Sequence, residues 1–410
     1  MEFKDKLARF SELVIKVGVN LQSGEELYIS SPVACADVAR SMAEVAYKSG
    51  AKDVIIIYDD ELFAKIRITN TDTETLCNIP EWQKKMRDTI AEKKACYIAI
   101  ASDDPELFSD VSADKMAAYS KAKHQSFAKF YDASMSNNIK WCVASAPSPS
   151  WAKSIFPNLS ETEAISSLWE LIFKSMRVYE DNPVSAWNNH NQRLIKYCEF
   201  LNKNEFVSMH YKNSIGTDFT VGLPKNYVFT GGLENSAWGC PFTANMPTEE
   251  VFSAPHKYSA NGTLVSSMPL CHMGKLIKNF SLTFKNGEVT AFSAETGYDT
   301  LKCIIDTDNG SKYLGEIALI GYDTPIQNLK TLFLNTLFDE NASCHFALGK
   351  AYPTCVKGTE NLSEKELDAI GVNNSLEHVD FMVGTSDLSI VATKADGSKV
   401  QIFKDGNFVI

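Results

Sequence analysis

No apolar stretch in the sequence approaches the ~20 residues that a membrane-spanning helix requires, so a bilayer-crossing segment is excluded. Its ten cysteines include no C-x-x-C pair. That argues against a zinc ribbon, and thiols scattered singly fit a reduced state better than a disulfide framework. There is no basic stripe interleaved with aromatics, and the formal charge of −11 repels phosphate backbones, so no nucleic-acid partner is expected. No G-x-G-x-x-G follows the first strand and no Walker loop follows any strand, which weakens a nucleotide-dependent reading. Internal repeats and low-complexity tracts are also missing. The opening MEFKDKLARF mixes both charge signs and lacks the layout of a secretion signal or transit peptide, so a cytoplasmic location without a membrane partner is expected.

What is present is a 410-residue chain with 44% apolar and 22% charged residues, the balance of a soluble protein long enough for two domains. Its acidity suits cation binding, although it also serves plain solubility. Short apolar strands at Glu26–Ser30 (ELYIS), Val54–Tyr58, Ala95–Ala101 and Trp141–Ala144 alternate with helical segments near Ala34–Lys48, Pro80–Lys93 and Ser112–Met135. That grammar predicts an α/β, Rossmann-like domain with a mostly parallel sheet. After a helical segment around Glu161–Arg177, strands are expected to dominate beyond Asn182, with Asn286-Gly287 and Asp396-Gly397 as hairpin turns. A boundary near residue 187 therefore separates domain 1–187 from an α+β domain, 188–410, with a mixed or antiparallel sheet.

The chemistry-bearing residues cluster in the second half. In Leu376–Gly384 (LEHVDFMVG), strand alternation sends His378, Asp380 and Met382 to one face and Val379, Phe381 and Val383 to the other. Nitrogen and oxygen on one face can ligate a metal ion; a hydrogen-bonded His–Asp pair is the alternative. Glu316 is the only charge in Tyr313–Gly321 (YLGEIALIG). A buried carboxylate needs a cation, a proton or a wet strand end, so a metal ligand and an edge glutamate are both open. In Phe338–Tyr352 (FDENASCHFALGKAY), Glu340, His345 and Tyr352 lie close together. The other reading there is a helix start capped by Asp339 or Asn341, with His345 in the core. Glu249 and Glu250 follow Pro247 as a ligand with its supporting partner, or as a solvated turn.

Taken together, GTDFTVGLP (Gly216–Pro224), NMPTEEVF, GEIALIG, DENASCHFALGKAYP and EHVDFMVG, in this order and spacing, resemble the metallopeptidase family that includes aminopeptidase T and aminopeptidase S. The resemblance runs along essentially the whole chain. It implies an N-terminal Rossmann-like domain, a C-terminal catalytic domain and a homodimer. It also implies two divalent metal ions per chain, held by Glu250, Glu316, Glu340, His345, His378 and Asp380, with Glu316 as the bridge. All six residue types are present, and Tyr352 matches a tyrosine of the same cluster.

The expected function is accordingly an aminopeptidase that releases N-terminal residues from peptides with a free N-terminus, using a metal-activated water. Glu316 as a bridge is a poor base; Glu340 or Glu249 would move the proton, and Tyr352 would donate to the developing oxyanion. The donor mixture accepts zinc, cobalt, manganese or magnesium. His124, His190, His210 and His272 are read as structural or solvated, and His256 as a residue that at most lines a substrate path. The competing class is a non-catalytic α/β ligand-binding or assembly protein whose His and Glu residues form structural pairs.

Overall fold

The strand–helix alternation of the first half folds as its pattern implies. The computed structural model describes residues 1–410 except 103, 105, 106, 109, 273, 274, 360 and 361. Strands Glu26–Pro32, Asp53–Asp59, Cys96–Ala101 and Trp141–Ser145 pair in parallel. The Asp53 strand forms one edge, and at the other edge the short strand Asn245–Met246 adds to the Trp141 strand, again in parallel. Tyr28, Ile90, Tyr97, Phe130 and Ile139 form a core on this sheet. The first unit thus comprises Met1–Asn189 together with Leu233–Pro247. That return was not visible as a sequence pattern, because a two-residue strand has too little alternation to be read.

Two helical segments differ from expectation. The stretch read as one helix over 112–135 is two helices, Ala113–Ser126 and Ala128–Met135, broken at Phe127. Beyond Asn182, where strands were expected, the chain first forms a 21-residue helix, Pro183–Lys203. Proline suits a first helical turn, and Trp187, His190, Asn191, Leu194, Cys198 and Leu201 recur at helical spacing as its buried stripe.

The second unit, His190–Gly232 with Thr248–Ile410, holds two antiparallel sheets. The larger contains strands Phe206–Lys212, Asp218–Gly222, Lys275–Lys285 and Ser389–Lys394. The turn at Asn286-Gly287 has both residues at positive φ, 51° and 90°, as a tight hairpin requires. The smaller sheet has the order Val251–Ser253, Leu314–Leu319, His345–Gly349, His378–Met382. One of its faces sends Ile317, Leu319, Phe346, Leu348, Val379 and Phe381 into the unit's core. There Phe346 meets Tyr211 at 5.0 Å and Phe219 at 5.3 Å between ring centres. Burial of these rings fixes which residues of the same strands must point the other way.

Candidate metal centre

The residues that alternate away from that core form the site. Register places Glu316 and Asp380 on either side of Ala347, and His345 opposite Ala318 and Met382. The small Ala347 leaves space for the two carboxylates to reach over the central strand. His378 pairs with Gly349, whose φ is 101° and where an added Cβ would lie 2.2 Å from Glu377 O. Only glycine lets the His378 strand come this close. Val251 turns into the core, so Glu250, one residue earlier, turns toward the cluster.

Two three-residue groups result: Glu250, Glu316 and His345, and Glu316, His378 and Asp380, the ligand atoms within each lying within 4.8 Å of one another. Glu316 belongs to both. Its Oε1 lies 3.3 Å from His345 Nε2, and its Oε2 lies 3.5 Å from His378 Nε2. His345 Nε2 is also 3.6 Å from Glu250 Oε2, and His378 Nε2 is 3.4 Å from Asp380 Oδ1. Since Lys350 O can only accept, its 2.7 Å contact assigns a hydrogen to His378 Nδ1, so the neutral ring turns its Nε2 lone pair toward the carboxylates and the protonated ring an N–H. Tyr352, partly exposed, lies beside the cluster with its ring 5.2 Å from that of His378.

Electrostatics express an excess of negative charge. Burial raises the Glu250 carboxyl to about 8, opposed by the imidazoles and reinforced by Glu316 and Asp380. Burial and then the charges of Asp380 and Glu250 push Glu340 well above the usual carboxylate range. Burial disfavours charge on His345, yet its contact with Glu316 and the nearby carboxylates lift it to about 10. His378 rises to about 9, against its burial, mainly through Asp380. Burial opposes ionisation of Asp380 too, but His378 and His345 hold it below the ordinary value. Burial and the same carboxylates raise the Tyr352 hydroxyl, so it remains a donor at neutral pH.

These donors fit a divalent cation. Asp380 Oδ1, 3.4 Å from His378 Nε2 and 3.8 Å from His345 Nε2, is buried without a hydrogen-bond partner among the described residues. The carboxylate–imidazole mixture is that of zinc and related ions, and positive charge would relieve the repulsion that now retains protons. Five of the six residues expected as ligands stand in these two groups; Glu340 is in neither, and its nearness shows in the effect of Asp380 and Glu250 on its carboxyl.

Glu249 faces elsewhere: its carboxylate lies 3.6 Å from His190, a residue set aside on sequence grounds. His190 is buried, with Nε2 2.9 Å from Thr248 O. Nothing in the polar string NNHNQ announced this; helical periodicity beyond residue 182 was the available signal. The Thr248–Glu249 pair is buried rather than a solvated turn. Among the other histidines, His124 stacks on Tyr131 and His210 pairs with Asp218 at 2.8 Å.

Known proteins resemble this chain along its whole length. The chain matches the family described as thermophilic metalloprotease (M29) over residues 3–408. It is 41% identical to Aminopeptidase 2 of Geobacillus stearothermophilus, covering 99% of this chain and 98% of that one. Identity to Aminopeptidase AmpS of Bacillus subtilis (strain 168) is 41%, over 99% of each. The structure of wild-type AmpT from Thermus thermophilus superposes with a TM-score of 0.93 at 33% identity, over all of both chains. The fold and site thus define a metal-dependent peptide hydrolase of the aminopeptidase class. The chain belongs to the M29 metallopeptidase family, whose chemistry implies use of a divalent metal.

Proposed function

We propose that this protein is a two-metal aminopeptidase that removes single residues from peptides with a free N-terminus. Glu250, Glu316, Glu340, His345, His378 and Asp380 are the ligands, all in the second unit. The observation that carries the reading is Glu316, which presents one oxygen to each histidine and is shared by both ligand groups. Such ions supply Lewis-acid charge to the scissile carbonyl and acidify a water nucleophile.

The chain's own residues do the rest. Glu316 keeps both oxygens engaged and holds the two halves of the site together. Lys350 O fixes His378 in the tautomer that offers Nε2. Glu340, in electrostatic contact with the cluster, moves the proton between water and leaving amine. Tyr352, protonated at neutral pH, donates to the carbonyl oxygen as negative charge develops there. The surplus of carboxylates also attracts the α-ammonium group of the substrate, which favours trimming at the N-terminus over internal cleavage. Zinc or cobalt suits the donor set best, with manganese or magnesium as alternatives.

The same reading takes the enzyme as a cytoplasmic homodimer. The family resemblance supports the dimer, and the free cysteines among the described residues suit a reducing compartment. Elemental analysis of the dialysed protein tests the site. Two equivalents per chain are expected in the wild type and less than one in Glu316→Gln; a single equivalent unaffected by that substitution would overturn the shared-ligand assignment.

A further inference from the structure

The ligand set raises a question its own residues do not answer. Glu250 and Glu340 act on the same cluster from segments about ninety residues apart in sequence, and both belong to short irregular stretches: Glu250 directly precedes a three-residue strand, and Glu340 opens a three-residue 3-10 turn. Carboxylates on such stretches need an external brace to hold a fixed separation.

One buried amide provides it. Asn341 is fully buried, and its Oδ1 accepts the Glu249 N–H at 2.8 Å. Its Nδ2 donates to Leu337 O at 3.1 Å and lies 3.5 Å from Glu340 Oε1. A single side chain therefore ties the backbone beside Glu250 to the turn that carries Glu340. The turn is braced on its other side by Asp339, which accepts the N–H groups of Phe333 at 2.7 Å and Asn335 at 3.0 Å.

His190 braces the Glu250 segment from the helix. The Arg193 guanidinium, which can only donate, lies 3.1 Å from His190 Nδ1. That makes Nδ1 the acceptor and puts the hydrogen on Nε2, which donates to Thr248 O at 2.9 Å. The Thr248–Glu249 backbone is thus gripped at its carbonyl by His190 and at its next N–H by Asn341. With Glu249 turned toward His190, Glu250 is left facing the cluster.

We propose that Asn341 and His190 are positioning residues for the metal centre, setting the placement of Glu250 and Glu340 without touching metal or substrate themselves. The inference rests on the metal-site reading above and assigns part of its geometry to two residues outside the ligand set. Partners of this kind typically change metal affinity by about 10–100-fold when removed.

The test is titration of the metal-free protein with cobalt(II) alone, followed by visible absorption, whose bands report coordination geometry. Asn341→Leu is expected to weaken cobalt binding by about 10–100-fold and to alter the spectrum. His190→Leu should do the same, whereas His190→Gln, which retains a donor toward Thr248 O, should keep affinity and spectrum near those of the wild type. Circular dichroism accompanies each variant. If Asn341→Leu does not fold, the His190 pair carries the test: equal binding by His190→Leu and His190→Gln overturns the proposal, as do wild-type affinity and spectrum in a folded Asn341→Leu. A wild type that binds no cobalt would instead overturn the metal-site reading itself, so the two failures are distinct.

Discussion

Loading the site with metal should expel protons, because several of its ligands hold them when no metal is bound. In the metal-free protein at pH 7, His345 at about 10 and His378 at about 9 each carry an extra proton. Glu250, at about 8, is largely protonated as well. Ligation requires neutral imidazoles and ionised carboxylates, so about three protons, from His345, His378 and Glu250, leave per chain when the site fills at pH 7. Because protons compete with metal, apparent affinity rises with pH as these groups lose their protons. Calorimetric titration with zinc in two buffers of different ionisation enthalpy measures the release directly. Fewer than one proton per chain, or an affinity that is flat between about pH 6 and pH 9, would refute the picture of a carboxylate-rich cluster held together by protons until metal arrives.

Three further outcomes follow from the same site and core. The folded metal-free protein binds protons at Glu250 and His345 more tightly than the unfolded chain, so this stabilisation is complete below their unfolded values and fades as pH rises through about 8 and about 10; its thermal midpoint should fall over that window, as scanning calorimetry would show. Tyr352→Phe should lower kcat by about 10²–10³ with little change in KM, the loss expected for one oxyanion donor; steady-state kinetics with unchanged kcat would remove Tyr352 from the scheme. Phe346→Ala, which empties a site packed by Tyr211 and Phe219, should cost about 3–5 kcal/mol in denaturant unfolding and also loosen the strand that carries His345.

The legible parts of the molecule were those written in local periodicity. The His-x-Asp strand could be read because Val379, Phe381 and Val383 alternate with His378 and Asp380, and the same residues enter the core in the folded protein. Glu316 stood out as one charge in an apolar run, and it does lie on a buried strand. What local pattern could not supply is register: that Ala347 sits between Glu316 and Asp380 depends on pairing strands distant in sequence. His190 stayed hidden for a related reason. Its partners, Thr248 and Glu249, are far along the chain, and its polar neighbours masked a buried helical stripe. Only the resemblance to a family joins the scattered motifs into one expected ligand set.

Hydrolysis of aminoacyl reporter amides, with free and acetylated N-termini, tests the central claim most directly when run before chelation, after chelation and after re-addition of zinc, cobalt, manganese or magnesium, with His378→Ala alongside. Cleavage confined to free N-termini, abolished by chelation, restored by metal and absent in the variant is the expected result. Full activity in the chelated protein, or equal cleavage of the acetylated substrates, would contradict a metal-dependent aminopeptidase built on this cluster.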